Sequence, residues 1–373
     1  MDFINDATAV ERKLIDKAAK VRVPITANFE LTPLCNLRCE MCFIRSDPNV
    51  IEREGGLRPL DFWIKTAEQL REMGTLFILL TGGEPLLYPQ FKNLYEQLRN
   101  MGFIITLNTN GTLIDEETVN LFERLKPRRV NVTLYGSSNE TYDSLCHNPH
   151  GYEHCLRGLR LLKERNIDTK MNVSLVRRNV NDYDDIMRIA QEFDIPAEVV
   201  CYMYPDYRPQ CGQRDICGER LAPEDAARME MQFMHYRKGA DFDKYIVERK
   251  NMLDNLVPLD PLRLECRAGS TSSWIDWQGI MTPCVSMPEP RVSLLKHDVK
   301  SAWEYIVDKA NQLPPHEECR GCRLRSICDV CYEAATEEKK MSGSLSHLCK
   351  IAEAKRNYIN SYVAAHWSSM DGN

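Results

Sequence analysis

The chain has 373 residues, of which 43% are hydrophobic and 27% charged, with a formal net charge of −6. That length allows one large domain and a smaller one, and a sizeable core. The slight acidity argues against nucleic acid or an anionic membrane as partner; no run of about 18 apolar residues offers a membrane span; and the acidic start (Asp2, Asp6, Glu11) lacks the order of a signal peptide, so a cytoplasmic location is expected.

Residues 1–23 read as a charged N-terminal helix, with Ala7, Val10, Leu14 and Ala18 along one side. From there short apolar strands alternate with helices. Strands are expected at Ile25–Leu31, Leu76–Leu80, Phe103–Leu107, Val130–Tyr135, Met171–Val176 and Ala197–Tyr202. Helices are expected at Pro59–Met73, Pro89–Asn100, Asp115–Leu125, Tyr152–Asn166 and Asp182–Phe193, with a further one at Pro223–Lys238. Pro59 and Pro89 suit first-turn positions, and Asp115 and Asp182 suit N-terminal ones. Six strand–helix units in a row predict an α/β fold: a parallel sheet closing into a partial (βα)6 TIM-type barrel over residues 24–240, with its chemistry at the carboxyl ends of the strands. Pro205, Pro209, Gly212 and Gly218 mark a loop over 205–222. A helical linker over 241–265, a cysteine-rich region over 266–349 and a C-terminal helix over 350–373 complete the expected order.

Fifteen cysteines in a chain without an export signal point to metal binding or catalysis rather than to disulfides. Cys35, Cys39 and Cys42 follow the first expected strand with C-x3-C-x2-C spacing. Three thiolates in one short loop can hold three irons of a four-iron, four-sulfur cluster, leaving the fourth iron open to a ligand.

This spacing resembles the signature of the radical S-adenosylmethionine (SAM) superfamily. The resemblance implies that the open iron takes the amino and carboxylate groups of S-adenosyl-L-methionine, whose reductive cleavage releases a 5′-deoxyadenosyl radical. An aromatic residue usually precedes the third cysteine of that family; here it is Met41. Motifs at later strand ends agree. Thr81-Gly82-Gly83-Glu84-Pro85 matches the family's GGEP run, which binds the SAM amino group. Asn108-Thr109-Asn110-Gly111 is similar to its TNG element, and Val132-Thr133-Leu134-Tyr135-Gly136 to its SLDG element. The cofactor-binding residues implied are Gly82, Gly83, Glu84, Asn108, Thr133 and Asn179, with Asn181 better suited to capping a helix. No Arg or Lys lies between Ser137 and Leu156, where related enzymes place a partner for the SAM carboxylate; His147, His150 and His154 are the local substitutes.

Toward the C-terminus, Cys266 and Cys284 frame Gly279 as C-x12-G-x4-C, and Cys319, Cys322, Cys328 and Cys331 follow as C-x2-C-x5-C-x2-C before Cys349. This resembles the SPASM extension, although the last short gap is two residues where that family has three. The resemblance implies one or two auxiliary 4Fe-4S clusters. Cys319, Cys322, Cys328 and Cys349 would hold one; Cys266, Cys284 and Cys331 would hold the other, with Cys217 and Cys211 as alternative fourth ligands. Paired C-x2-C motifs also suit zinc, so a zinc-binding interaction module is the non-enzymatic alternative. Cys146, Cys155 and Cys201 fit no ligand pattern. Cys201 as hydrogen-atom donor and Tyr135 are the candidate catalytic residues, and Tyr202 and Tyr204 are candidates for the pocket wall.

Enzymes with this extension mostly modify ribosomally made peptides or proteins. The implied function is therefore a peptide maturase that forms thioether or carbon–carbon cross-links, drawing electrons from a flavodoxin- or ferredoxin-like donor. The 34 residues before Cys35 are too few for the winged-helix leader-binding domain of several peptide maturases, so recognition of a leader is expected to fall to a separate carrier protein or to the helical linker. A sulfatase-maturing enzyme would have an aspartate where Val285 stands. A peptide epimerase using a cysteine donor is the third enzymatic reading.

Overall fold

A computed structural model describes residues 8–205, 216–255 and 260–367. Most of the expected loop over 205–222, Cys211 included, lies outside the described residues.

Six strands form parallel neighbours in chain order: β1 (Thr26–Glu30), β2 (Phe77–Thr81), β3 (Ile104–Thr109), β4 (Arg129–Thr133), β5 (Thr169–Ser174) and β6 (Ala197–Val200). The helices between them are Leu60–Glu72, Phe91–Asn100, Glu116–Arg124, Gly151–Glu164 and Tyr183–Phe193. Each is within a few residues of its expected place, and the partial barrel is the fold observed. Asp115 caps its helix by accepting from Thr118 N at 2.8 Å. Pro59 is itself an N-cap, and Pro89 precedes the N-cap Gln90.

The strands alternate. Ala27, Phe29, Leu31, Ile78, Leu80, Ile105, Leu107, Val130, Val132, Met171 and Val173 are fully buried. They face the helices: the Phe29 ring lies 4.9 Å from that of Trp63 on the first barrel helix. Burying one such side chain contributes about 1.5–3 kcal/mol. Apart from Phe77, Leu79 and Ile104 the intervening residues of β1 to β5 are polar, and Asn131 Nδ2 donates across strands to Asn108 Oδ1 at 2.8 Å. Period-two alternation thus gives the sheet an apolar outer face and a polar inner one. The polar face belongs to the barrel interior.

The cysteine-rich region is not a detached module. Its strands β7 (Ser272–Ile275), β8 (Ile280–Thr282) and β9 (Val292–Ser293) extend the sheet to the order β6-β5-β4-β3-β2-β1-β7-β8-β9, with β7 parallel to β1 and the last two pairings antiparallel. Gly279 turns the β7–β8 hairpin at φ 79°, and a Cβ there would stand 2.9 Å from the Phe62 ring. The glycine of the C-x12-G-x4-C motif therefore serves both turn and docking. The Pro223–Lys238 and Ser346–Trp367 helices pack side by side beyond β6. Among the described residues no helix is long and apolar enough to cross a membrane.

Candidate active site and cysteine clusters

Cys35, Cys39 and Cys42 lie in the loop that leaves the carboxyl end of β1. Two backbone amides donate to their sulfurs: Leu37 N to Cys35 at 3.4 Å and Arg45 N to Cys42 at 3.3 Å. Burial raises the Cys35 thiol well above its usual range, and the neighbouring Glu84, Cys39 and Cys42 charges raise it further. A donor set of three crowded soft sulfurs with N–H support suits an iron–sulfur cluster, whose positive irons relieve that crowding.

The loop is clamped from two sides. Arg38 N donates to Cys146 O at 2.8 Å and Glu40 N to Leu145 O at 3.0 Å, fixing it to the end of the Asn139–Cys146 helix. On the other side Gly83 N donates to Thr32 O and Glu84 N to Leu34 O, both at 2.7 Å. The chains approach so closely that a Cβ at Gly82 would lie 2.4 Å from Thr32 O, and one at Gly83 2.4 Å from Leu34 O. The two glycines of the GGEP run are required by this contact with the cysteine loop's own strand.

Glu84 is fully buried. The carboxylate expected to meet an ammonium is engaged by protein donors: Thr109 Oγ1 at 2.8 Å, Asn110 N at 2.8 Å and Leu86 N at 3.1 Å. Burial pushes its carboxyl up to about 7, against the pull of those donors. Asn108 pairs with Asn131 on the neighbouring strand, whereas Asn110 reaches the cysteines. Its Nδ2 lies 3.7 Å from Cys35 Sγ and donates to Asn36 Oδ1 at 2.9 Å. Asn110, two residues beyond the expected cofactor residue Asn108, is thus the asparagine of this run that stands over the cysteine loop. The glycine that ends the turn, Gly111 at φ 77°, was the available signal for the bend that carries Asn110 over the loop.

Thr133 ends β4, partly buried. Tyr135, two residues on, is brought to the cysteines: it neighbours Cys39, and burial drives its own ionisation far up. Asn179 is fully buried with its amide engaged by backbone. Nδ2 donates to Tyr135 O at 2.9 Å and Ser174 O at 3.0 Å, and Oδ1 accepts from Val176 N at 2.8 Å. Of the three histidines, His147 alone reaches the loop, with Nε2 2.6 Å from Glu40 Oε1. His150 instead neighbours Glu153 and the His154 ring. Cys201 is not brought to the cysteine loop; burial raises its thiol, and its charged neighbours are Glu230 and Lys355.

The C-terminal cysteines form two groups. Cys266, Cys284 and Cys331 feel one another's charge, and burial pushes Cys284 up to about 11. Tyr204 sits among them, its ionisation pushed up by burial and by the three neighbouring thiols. Cys319, Cys322, Cys328 and Cys349 form the second group, with Lys355 beside Cys328. Cys217 lies against Met341, 3.2 Å from its sulfur. Tyr202 donates to Glu338 Oε1 at 2.6 Å, under the guanidinium of Arg220. Among the described residues no three His, Cys, Asp or Glu side chains close around a single ion.

Residues 29–192 match the radical SAM superfamily. This part of the chain is a radical SAM domain. The chain is 26% identical over 324 residues to the antilisterial bacteriocin subtilosin biosynthesis protein AlbA of Bacillus subtilis (strain 168), covering 83% of this chain and 67% of that one. It is 22% identical over 336 residues to the AdoMet-dependent heme synthase of Methanosarcina barkeri (strain Fusaro / DSM 804), covering 85% and 93%. In fold it is similar to Streptococcus suis SuiB, with a TM-score of 0.64 at 17% identity over 88% of this chain and 78% of that one. It is also similar to anSMEcpe with bound AdoMet, with a TM-score of 0.65 at 16% identity over 93% and 100%. The chain shares with both the α/β fold that carries its cysteine loop.

Proposed function

We propose that the chain is a SPASM-type peptide maturase that cross-links a ribosomally made peptide through a thioether or carbon–carbon bond. The observation that carries the reading is the gathering of thiols into three groups, one at the carboxyl end of β1 and two in the region that extends the sheet. Cys35, Cys39 and Cys42 would hold the catalytic cluster. Cys319, Cys322, Cys328 and Cys349 would hold one auxiliary cluster, and Cys266, Cys284 and Cys331 the other. The bound cluster and SAM supply a 5′-deoxyadenosyl radical able to take a hydrogen atom from carbon.

The chain's own residues prepare the place. The amides of Leu37 and Arg45 support the thiolates. Gly82 and Gly83 let the β2 end lie against the loop, and the Glu84–Thr109–Asn110 contacts hold the β3 turn over Cys35. Tyr135 stands beside Cys39. The polar inner face of the barrel gives a peptide's backbone partners.

The peptide reading draws on the likeness to AlbA, a bacteriocin biosynthesis protein, and to SuiB, which has been seen bound to its precursor peptide SuiA. Val285, directly after Cys284, has no proton to accept or give and weighs against the sulfatase-maturing alternative. A separate leader-binding carrier and a flavodoxin- or ferredoxin-like donor complete the proposal.

The test is anaerobic. Wild-type protein reconstituted with iron and sulfide, given dithionite and SAM, should release 5′-deoxyadenosine. Replacing Cys35, Cys39 and Cys42 together by Ala should abolish this while auxiliary iron stays bound. A peptide encoded beside the gene should lose two hydrogens per cross-link on co-expression. Continued SAM cleavage by the triple variant, or zinc in place of iron in the wild type, would overturn the reading.

A further inference from the structure

Cys146 lies beside the cysteine loop, and the proposed function gives it no part. It ends the Asn139–Cys146 helix and is fully buried, while Cys39 is 5% exposed. The Cys146 thiol neighbours that of Cys39 and pushes its ionisation up. Their backbones are held together on both sides of Cys39, by Arg38 N to Cys146 O at 2.8 Å and Glu40 N to Leu145 O at 3.0 Å. The two hydrogen bonds bracket Cys39 and hold its backbone against that of Leu145 and Cys146, the kind of proximity a disulfide requires.

We propose that Cys39 and Cys146 form a reversible disulfide whenever the loop holds no cluster, an oxidative modification site that competes directly with cluster ligation. The proposal rests on the reading of Cys39 as a cluster ligand. The balance is simple. Two S–H bonds break and one S–S bond forms, and the two electrons and two protons pass to dioxygen, giving hydrogen peroxide, or to an added diazene, giving its hydrazine. A sulfur bound to iron cannot make this bond, so the cluster and the disulfide exclude each other. The consequence is protective. A bare thiol near an oxygen-sensitive cluster is open to sulfinic and sulfonic oxidation, which is irreversible, whereas a disulfide returns to thiols on reduction. The bond would also hold the loop against its helix until the cluster is rebuilt.

The experiment uses the full-length protein. Cluster-loaded protein is compared with protein stripped of iron by ferricyanide and a chelator and then treated with diamide, a diazene. Free thiols are alkylated and the digests mapped without reductant. In the stripped sample, fragmentation should find Cys39 joined to Cys146, two hydrogens lighter than the separate peptides, and dithiothreitol should release it. Cys155→Ser should keep the link, because Cys155 shares a tryptic peptide with Cys146. Cys146→Ser should lose it and should show sulfinic acid at Cys39 after exposure to air. A link from Cys39 to Cys35 or Cys42, or alkylation of Cys39 after diamide, would overturn the proposal in the wild-type protein alone. Iron and sulfide in the loaded sample report separately on the cluster reading, so the two can fail independently.

Discussion

Glu84 and Thr109 tie two strand ends together: Thr109 Oγ1 lies 2.8 and 3.0 Å from the two carboxylate oxygens, inside the protein. The same carboxylate accepts from Asn110 N, and Asn110 overhangs Cys35. A buried acid thus sets the turn that faces the cysteine loop.

This acid gives a pH signature. Burial lifts its carboxyl from the usual 4.5 to about 7, so over that interval the native state keeps a proton that the unfolded chain has released. Its contribution to stability is therefore complete below about pH 4.5 and lost as pH rises through about 7, by roughly 3 kcal/mol in all. The stability difference between wild type and Glu84→Gln, from urea unfolding of the metal-free protein at pH 5 and pH 8, should shift against the wild type by about that amount. A difference independent of pH would mean that Glu84 ionises normally.

Gly83→Ala should be far more damaging than an ordinary loop substitution. The new Cβ would meet Leu34 O at 2.4 Å and Pro33 O at 2.8 Å, and backbone cannot rotate aside as a side chain can. A loss of more than about 2 kcal/mol is expected, together with weaker iron incorporation at the first cysteine group. Unfolding curves and iron analysis of the same preparation check both.

Asn179 should act through the backbone. Its amide joins the ends of β4 and β5 by three hydrogen bonds, and Asn179→Ala leaves buried groups without partners at a cost of about 1–3 kcal/mol. A variant with the wild-type unfolding midpoint but weakened SAM binding would make Asn179 a ligand contact instead.

Arg220 and Glu338 form a buried ion pair, 2.6 Å apart, with side chains 6% and 1% exposed. Arg220→Met should cost about 3–5 kcal/mol by leaving a buried carboxylate uncompensated, while Arg220→Met with Glu338→Leu should recover much of that. A double-mutant cycle measures it; additive losses would show that the pair is not coupled.

The barrel was legible in the sequence because its strand and helix signals are local. Pro223–Lys238 came out as expected, and the other elements shifted by a few residues at their ends. The first cysteine group was legible because its three cysteines sit within eight residues. Strand β7 was not. Ser272–Ile275 is short and pairs with a strand about 245 positions earlier, which no local pattern encodes. The Asn139–Cys146 helix was also missed, although Ser138 caps it through Thr141 N. With that helix unseen, the contact of Cys146 with Cys39 had no place in the sequence reading. Cys201 shows what strand position leaves open. The end of a strand does not say which side a thiol faces, and this one sits beside Glu230 and Lys355.

The pairing of β7 with β1 makes the two halves of the polypeptide mechanically inseparable. Asn28 reaches across to Ser273 O at 2.6 Å, and the indole of Trp274 donates to Glu30 at 2.9 Å. Cutting the chain ahead of Cys266 would strip β1 of this neighbour and bare a sticky flank next to the first cysteines. Heating the intact protein should accordingly melt both halves in one step, and neither fragment would serve as a faithful stand-in for the whole.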